Sequence, residues 1–143
     1  MNIYKFYFNH LIEAVEKFKS DFKYSFIVED IFKKLTLEPP KNSINGDMST
    51  NLAMILSKDL KLSPKIIADN FMVYISNFPG VENVNVAGPG FINIKFKQNV
   101  WSDFMSNILQ NSENWDKLEI GKGKNINIEY ISANPTGPLH AGH

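Results

Sequence analysis

Apolar residues recur at helical spacing over the first third of the chain. Tyr4, Phe8, Leu11, Val15, Phe18 and Phe22 lie three or four apart, which predicts one long helix with a single apolar face. Phe26 to Lys34 is expected to form a second, short helix. Pro39-Pro40 then ends regular structure by fixing φ and removing two donors, and KNSINGD at 41–47 is turn chemistry. A new helical stripe follows at Leu52, Ile55, Leu56 and Leu60. Ser63-Pro64 restarts the chain as an N-cap with proline at the first helical position, and Ile67, Phe71, Tyr74 and Phe78 mark the buried face up to the stop at Pro79-Gly80.

Beyond Gly80 the period falls from about 3.6 to 2. VENVNVA at 81–87 sets Val84 and Val86 on one face and Asn83, Asn85 and Ala87 on the other. After GPG at 88–90, FINIKFK sets Ile92, Ile94 and Phe96 against Phe91, Asn93, Lys95 and Lys97. Two alternating runs about a tight turn predict a β-hairpin. A helix over about 98–111 follows, with Trp101, Phe104, Met105 and Ile108 as packing residues. NSENWDKLEIGKGKN is polar and glycine-containing, a linker, and INIEYIS at 126–132 reads as one more strand, separate from the rest. The fold class is therefore α+β, with residues 1–112 as one domain, 113–124 as a linker and 125–143 as the opening of a second domain.

Charge and composition narrow the chemistry. Fifteen acidic residues balance fifteen basic ones, so no overall field draws in nucleic acid. Every base is lysine, so any phosphate contact would be a point charge rather than a bidentate fork. The absence of cysteine excludes a disulfide framework and a thiolate metal site, which fits a cytoplasmic location. No apolar run approaches the ~20 residues of a spanning helix, and the start lacks a secretory pattern, so no membrane partner is expected.

Two stretches carry candidate chemistry. On the polar face of the hairpin, Phe91 offers a ring, Asn93 an amide and Lys95 and Lys97 two cations, with Asn83 and Asn85 flanking them from the other strand. A stacking platform, an edge-reading amide and cations are what single-stranded RNA recognition uses. The alternative is a half-buried phenylalanine among solvated polar neighbours. At the end of the chain, IEYISANPTGPLHAGH is a strand, a proline- and glycine-rich loop, and then His140 and His143 where a helix could start. That order is the nucleotide-binding corner of a doubly wound sheet. The two histidines, three apart, could share a metal, but no further ligands have suitable spacing, so no protein-bound metal is expected. GKGKN at 121–125 lacks the frame of a phosphate-binding P-loop.

The terminal stretch resembles the first signature of class I aminoacyl-tRNA synthetases, in the form arginyl-tRNA synthetases carry. GDMSTNLAM at 46–54 and VNVAGPGFINIKF at 84–96 resemble the amino-terminal additional domain of that family, and the three matches follow its order and spacing. The resemblance implies a module of helices on a small antiparallel sheet that contacts the D-loop corner of tRNA. Phe91 and Asn93 would then stack on and hydrogen-bond to a D-loop base. It implies that His140 and His143 stabilise ATP phosphates during adenylation, that Glu129 and Asn134 hold arginine with Ser132 between them, and that magnesium accompanies ATP. Residues 125–143 would be the first strand and signature of a truncated Rossmann-type catalytic domain. The intact protein would be an arginine–tRNA ligase, and these 143 residues alone would be a monomer without catalytic activity, with the terminal strand as a swapping surface. A different class of function, a non-catalytic synthetase-like module acting in protein–protein or regulatory interaction, fits the same mixed hairpin face and zero net charge.

Overall fold

The computed structural model describes residues 2–113, 121–131, 136–138 and 140. The chain falls into two compact units, Met1–Asn111 and Ser112–His143.

In the first unit, α1 (Ile3–Asp21) starts at Asn2, whose side chain accepts from the Lys5 amide at 3.2 Å. Its buried face is Ile3, Tyr7, Leu11, Ala14, Val15 and Phe18. The expected stripe holds at Leu11, Val15 and Phe18 but is turned at both ends, where Tyr4 and Phe8 are only half-buried and Phe22 is 48% exposed. Tyr7 takes the inward position because its hydroxyl finds a partner there, donating to the Pro79 carbonyl at 2.8 Å, while its ring stacks on Phe96 with centroids 4.3 Å apart. α2 spans only Val28–Phe32, and Leu35 just past it is buried.

Two short strands follow, β1 (Leu37–Glu38) and β2 (Met48–Thr50), separated by a 3₁₀ turn at Ser43–Asn45. Periodicity does not anticipate them, since two or three residues are too few to display alternation. α3 (Leu52–Leu60) and α4 (Pro64–Ile75) come next. The Ser63 hydroxyl accepts from the Ile66 amide at 3.4 Å, with Pro64 at the first helical position as expected. Leu52, Ala53 and Leu56 of α3 and Ile67, Ala68, Phe71 and Ile75 of α4 are buried, while Ile55, Leu60, Tyr74 and Phe78 pack at the margin.

The predicted hairpin is present as β3 (Val81–Ala87) and β4 (Phe91–Phe96). A register shift between Val81 and Asn83 lets Val81 and Val84, three apart, both point inward, which strict alternation does not allow. Gly90 has φ +123° in the connecting loop, and a Cβ there would lie 2.6 Å from Cβ of Pro64, so the loop closes directly on the start of α4. The strands form one antiparallel sheet in the order β1-β2-β4-β3.

The inner face of this sheet carries Met48, Thr50, Val84, Ile92, Ile94 and Phe96 into a core shared with α1, α3 and α4. Phe18 and Phe71 meet there at 4.3 Å, and each fully buried ring contributes about 1.5–3 kcal/mol over its exposed state. The buried hydroxyl of Thr50 accepts from the Leu52 amide at 3.3 Å. α5 (Gln98–Gln110) covers the margin only. No residue in it is buried, Trp101, Phe104 and Ile108 are half-buried, and Met105, expected to pack, is 56% exposed.

In the second unit, residues 124–131 form no strand, against the expectation for 126–132. A strand exists only through a paired neighbour, and no described segment pairs with this one. Ile126, Ile128, Tyr130 and Ile131 are correspondingly exposed. Among the described residues no helix is long and apolar enough to cross a membrane.

Candidate nucleic-acid interface

The outer face of the sheet is fixed by the register of its strands. Ser49 of β2 pairs with Glu38 of β1 and with Asn93 of β4, which pairs in turn with Asn85 of β3. These four polar side chains form one row across the sheet. Two residues along β4 on one side lies Phe91, opposite Ala87, and two residues along on the other lies Lys95, opposite Asn83.

Phe91 is 40% exposed. Asn93 departs from expectation. It belongs to the outer face by register, yet it is only 2% exposed. Ser49 and Asn85 flank it on the two adjacent strands, and its Nδ2 donates to the Asn85 Oδ1 at 3.1 Å. Asn85 is half-buried and Asn83 exposed. Lys95 is not an uncommitted cation, since its ammonium lies 3.3 Å from the Asp47 Oδ1. Lys97 is exposed at the N-cap of α5, one residue past β4, and makes no ion pair among the described residues.

A groove of about 550 Å³ runs over this face, walled by Pro39 and Pro40 on one side and by Gly88 and Phe91 on the other, with Asn93 in its floor. Its far wall is pinned by Asn51. The Asn51 Oδ1 accepts from the Thr36 amide at 2.9 Å, and its Nδ2 donates to the Lys34 carbonyl at 3.1 Å. One side chain thus holds the segment that carries the short edge strand and the two prolines.

Asp47 holds the opposite end of β4. Its Oδ2 accepts from the Phe96 amide at 2.8 Å, and its own amide donates to the Ile94 carbonyl at 2.8 Å. Gly46 makes that approach possible, for with φ +123° a Cβ there would stand 2.6 Å from the Ile94 oxygen. The stretch GDMSTN thus has a structural account residue by residue: close approach, strand clamp, core, polar row, helix entry and groove pin. Periodicity gives no hint of Asp47, Asn51, Glu38 or Ser49 as parts of the site. The only sequence signal for Asp47, Ser49 and Asn51 is that motif, which contains all three.

In the second unit, Glu129 and His140 are exposed. Ser132, Asn134 and His143 lie outside the described residues. No group of three or more His, Cys, Asp or Glu suited to a metal occurs among the described residues.

Comparison with known proteins points the same way as the motifs. The family described as "Arginyl tRNA synthetase N terminal domain" matches residues 7–96, which takes in most of α1, both parts of the groove and the hairpin. The arginine–tRNA ligase of Bartonella henselae is 41% identical over 143 residues, all of this chain and 24% of the relative. That of Azorhizobium caulinodans is 36% identical over the same span and share, and that of Rickettsia akari 43% identical over 115 residues, 80% of this chain and 20% of the relative. The chain spans about a quarter of the length of the curated relatives that it matches end to end. With an α+β fold, a small antiparallel sheet and a family match over most of the first unit, the chain belongs to the arginyl-tRNA synthetase N-terminal domain family.

Proposed function

We propose that this chain supplies the tRNA-contacting part of an arginine–tRNA ligase, and that the groove on the outer face of the sheet takes a base of the tRNA D-loop. The observation that carries the proposal is the half-exposed Phe91 ring beside the floor amide of Asn93, in a groove that a single unstacked base could enter. Stacking on an aromatic ring contributes about 1–3 kcal/mol per base, and the Asn93 amide supplies edge contacts that stacking lacks. Lys97 adds a cation for the backbone, while Lys95 first has to release Asp47.

Residues 1–112 would form the tRNA-binding domain, 113–124 a linker and 125–143 the opening of the Rossmann-type catalytic domain. In the whole enzyme, the carboxylate of arginine attacks the α-phosphate of ATP, giving arginyl-adenylate and releasing pyrophosphate. The terminal ribose hydroxyl of tRNA then attacks the arginyl carbonyl, and AMP leaves. His140 and His143 would stabilise the ATP phosphates as charge develops, with Glu129, Ser132 and Asn134 holding arginine. A nucleotide pocket needs neighbouring strands and a following helix, and the described residues of the second unit provide neither. The 143 residues alone are therefore expected to give no ATP–pyrophosphate exchange.

The test is tRNA binding by the 143-residue chain and its Phe91→Ala variant, read as an affinity at two salt concentrations. A drop on losing the ring, with affinity falling as salt rises, supports the reading. Equal affinity for the two proteins removes the groove from the contact.

A further inference from the structure

The turn between β1 and β2 carries a reactive pair of residues. Of the seventeen asparagines in the chain, Asn45 alone precedes a glycine. A backbone nitrogen can attack the side-chain carbonyl carbon of the asparagine before it, closing a five-membered imide. Any side chain on the attacking residue crowds that approach, and Gly46 has none.

The fold leaves this pair open to the reaction. Asn45 ends the 3₁₀ turn Ser43–Asn45, in which no residue is buried and Ile44 is 87% exposed. Two backbone hydrogen bonds close the turn, from Asn45 N–H to the Asn42 carbonyl at 3.0 Å and from Gly46 N–H to the Ser43 carbonyl at 3.2 Å. A segment with so few buried contacts opens locally at small cost, and opening frees the Gly46 nitrogen. The Asn45 side chain makes no hydrogen bond among the described residues, whereas the Oδ1 of nearby Asn42 accepts from the Ile44 amide at 3.0 Å. Two parts of the site depend on the pair. Asn45 lines the groove together with Glu38 and Lys41. Gly46 lies against the Ile94 carbonyl and leads directly into the Asp47 clamp.

We propose that Asn45–Gly46 is a site of spontaneous backbone modification, through which the groove gains a carboxylate on its wall and loses the fit of its clamp. The Gly46 nitrogen gives its proton to hydroxide and bonds to the Asn45 Cγ. The Cγ–Nδ2 bond then breaks, and ammonia leaves with a proton taken from water. A second water opens the imide. Addition at Cγ leaves aspartate, while addition at the former main-chain carbonyl leaves isoaspartate, with the chain routed through Cβ and Cγ and one carbon longer. Both products replace a neutral amide with a negative charge, which opposes a phosphate backbone in the groove. Isoaspartate also displaces Gly46 from the Ile94 carbonyl and so loosens the bond between Asp47 and the Phe96 amide. The effect on RNA rests on the binding reading above, and the reaction itself does not.

The experiment incubates the 143-residue chain at mildly alkaline pH and reads its peptides by mass spectrometry, with electron-transfer fragmentation to separate isoaspartate from aspartate. Asn45 is expected to convert before any other asparagine. Its rate should stay level in urea below the unfolding transition, since opening one turn exposes little surface. The isoaspartate form, isolated by ion exchange, should bind an arginine-tRNA transcript about threefold more weakly than the fresh chain through its added charge. It should also melt lower, by up to about 10 °C for full loss of the clamp. Asn45→Gln would have to close a six-membered ring and leaves Gly46 untouched, so it should hold its own starting affinity through the incubation. An intact Asn45 after other asparagines have converted overturns the inference, as does a rate that climbs with urea in step with global unfolding. An isoaspartate form with the fresh chain's midpoint or affinity overturns it as well. Phe91→Ala separates an unchanged affinity from failure of the binding reading. Weak binding by that variant leaves the groove as the RNA site, whereas wild-type binding removes both.

Discussion

Asp47 is the residue whose removal most directly tests how the groove is built. Its carboxylate accepts from the amide of Phe96, a residue 2% exposed, at 2.8 Å, and lies 3.3 Å from the ammonium of Lys95. In Asp47→Ala the Phe96 N–H loses a charged acceptor at the buried end of β4. A hydrogen bond to a charged group contributes about 1.5–3 kcal/mol, and an unsatisfied buried donor costs about 1–3 kcal/mol, two descriptions of one loss that are not to be added. The Lys95 pair is half-exposed and contributes under about 1 kcal/mol. The expected total is about 2–3 kcal/mol, which for a unit near this size lowers the thermal midpoint by roughly 10 °C. Asp47→Asn retains a neutral acceptor, and a loss of about 1 kcal/mol is expected. Lys95→Ala is expected to lose still less. Thermal and urea unfolding of the four proteins, followed by far-ultraviolet circular dichroism, gives the order. A Lys95→Ala variant as unstable as Asp47→Ala, or an Asp47→Ala variant within about 0.5 kcal/mol of wild type, refutes the backbone-clamp account.

Gly46→Ala should destabilise by at least about 2 kcal/mol from its backbone conformation, with the 2.6 Å approach to the Ile94 oxygen adding to this, whereas Gly88→Ala, with open space at φ +55°, should cost about 1–2 kcal/mol; equal losses in unfolding experiments would count against the close approach. Asn51→Ala removes two hydrogen bonds and should cost about 1–3 kcal/mol in the same assay, and it should also weaken RNA binding by loosening the proline wall; unchanged RNA affinity would detach that wall from the site. Burial raises the Tyr7 pKa above its ordinary value of 10.0, so the unfolded chain ionises first as pH rises, and stability present below pH 10.0 is lost through the more alkaline range. Tyr7→Phe should flatten that alkaline loss while lowering stability at neutral pH, leaving a residual slope from Tyr74, whose pKa is raised by desolvation and then by its bond to Asp21. Urea unfolding at pH 8 and pH 11 checks this, and an unchanged alkaline slope in the variant would assign the loss elsewhere.

The helices and the hairpin were legible because each long element repeats its own period. Ser63-Pro64 announced α4, and the alternation of FINIKF set the inner face of β4 correctly. The turn of the α1 face was not legible, because Tyr7 counts as amphipathic until Pro79, 72 residues away, supplies a carbonyl for its hydroxyl. Neither were β1 and β2; the pairing of β2 with β4 is stabilised by Gly46 and Asp47 rather than by a run of apolar residues. For the site, alternation found Phe91, Asn93 and Asn85 on one face but could not separate facing outward from being exposed. Asn93 is covered by neighbours that only the four-stranded register brings beside it. Lys95 shows the same limit, its charge committed to a residue 48 positions earlier.

The central claim is that the groove over Phe91 and Asn93 binds tRNA. The most direct measurement is the affinity of the 143-residue chain for an arginine-tRNA transcript, compared among wild type, Phe91→Ala and Asn93→Ala, with circular dichroism confirming that each is folded. Losing the ring should weaken binding about five- to a hundredfold, the range that one stacked base supports, and losing the amide should weaken it by a smaller factor. Wild-type affinity in both folded variants would contradict the account.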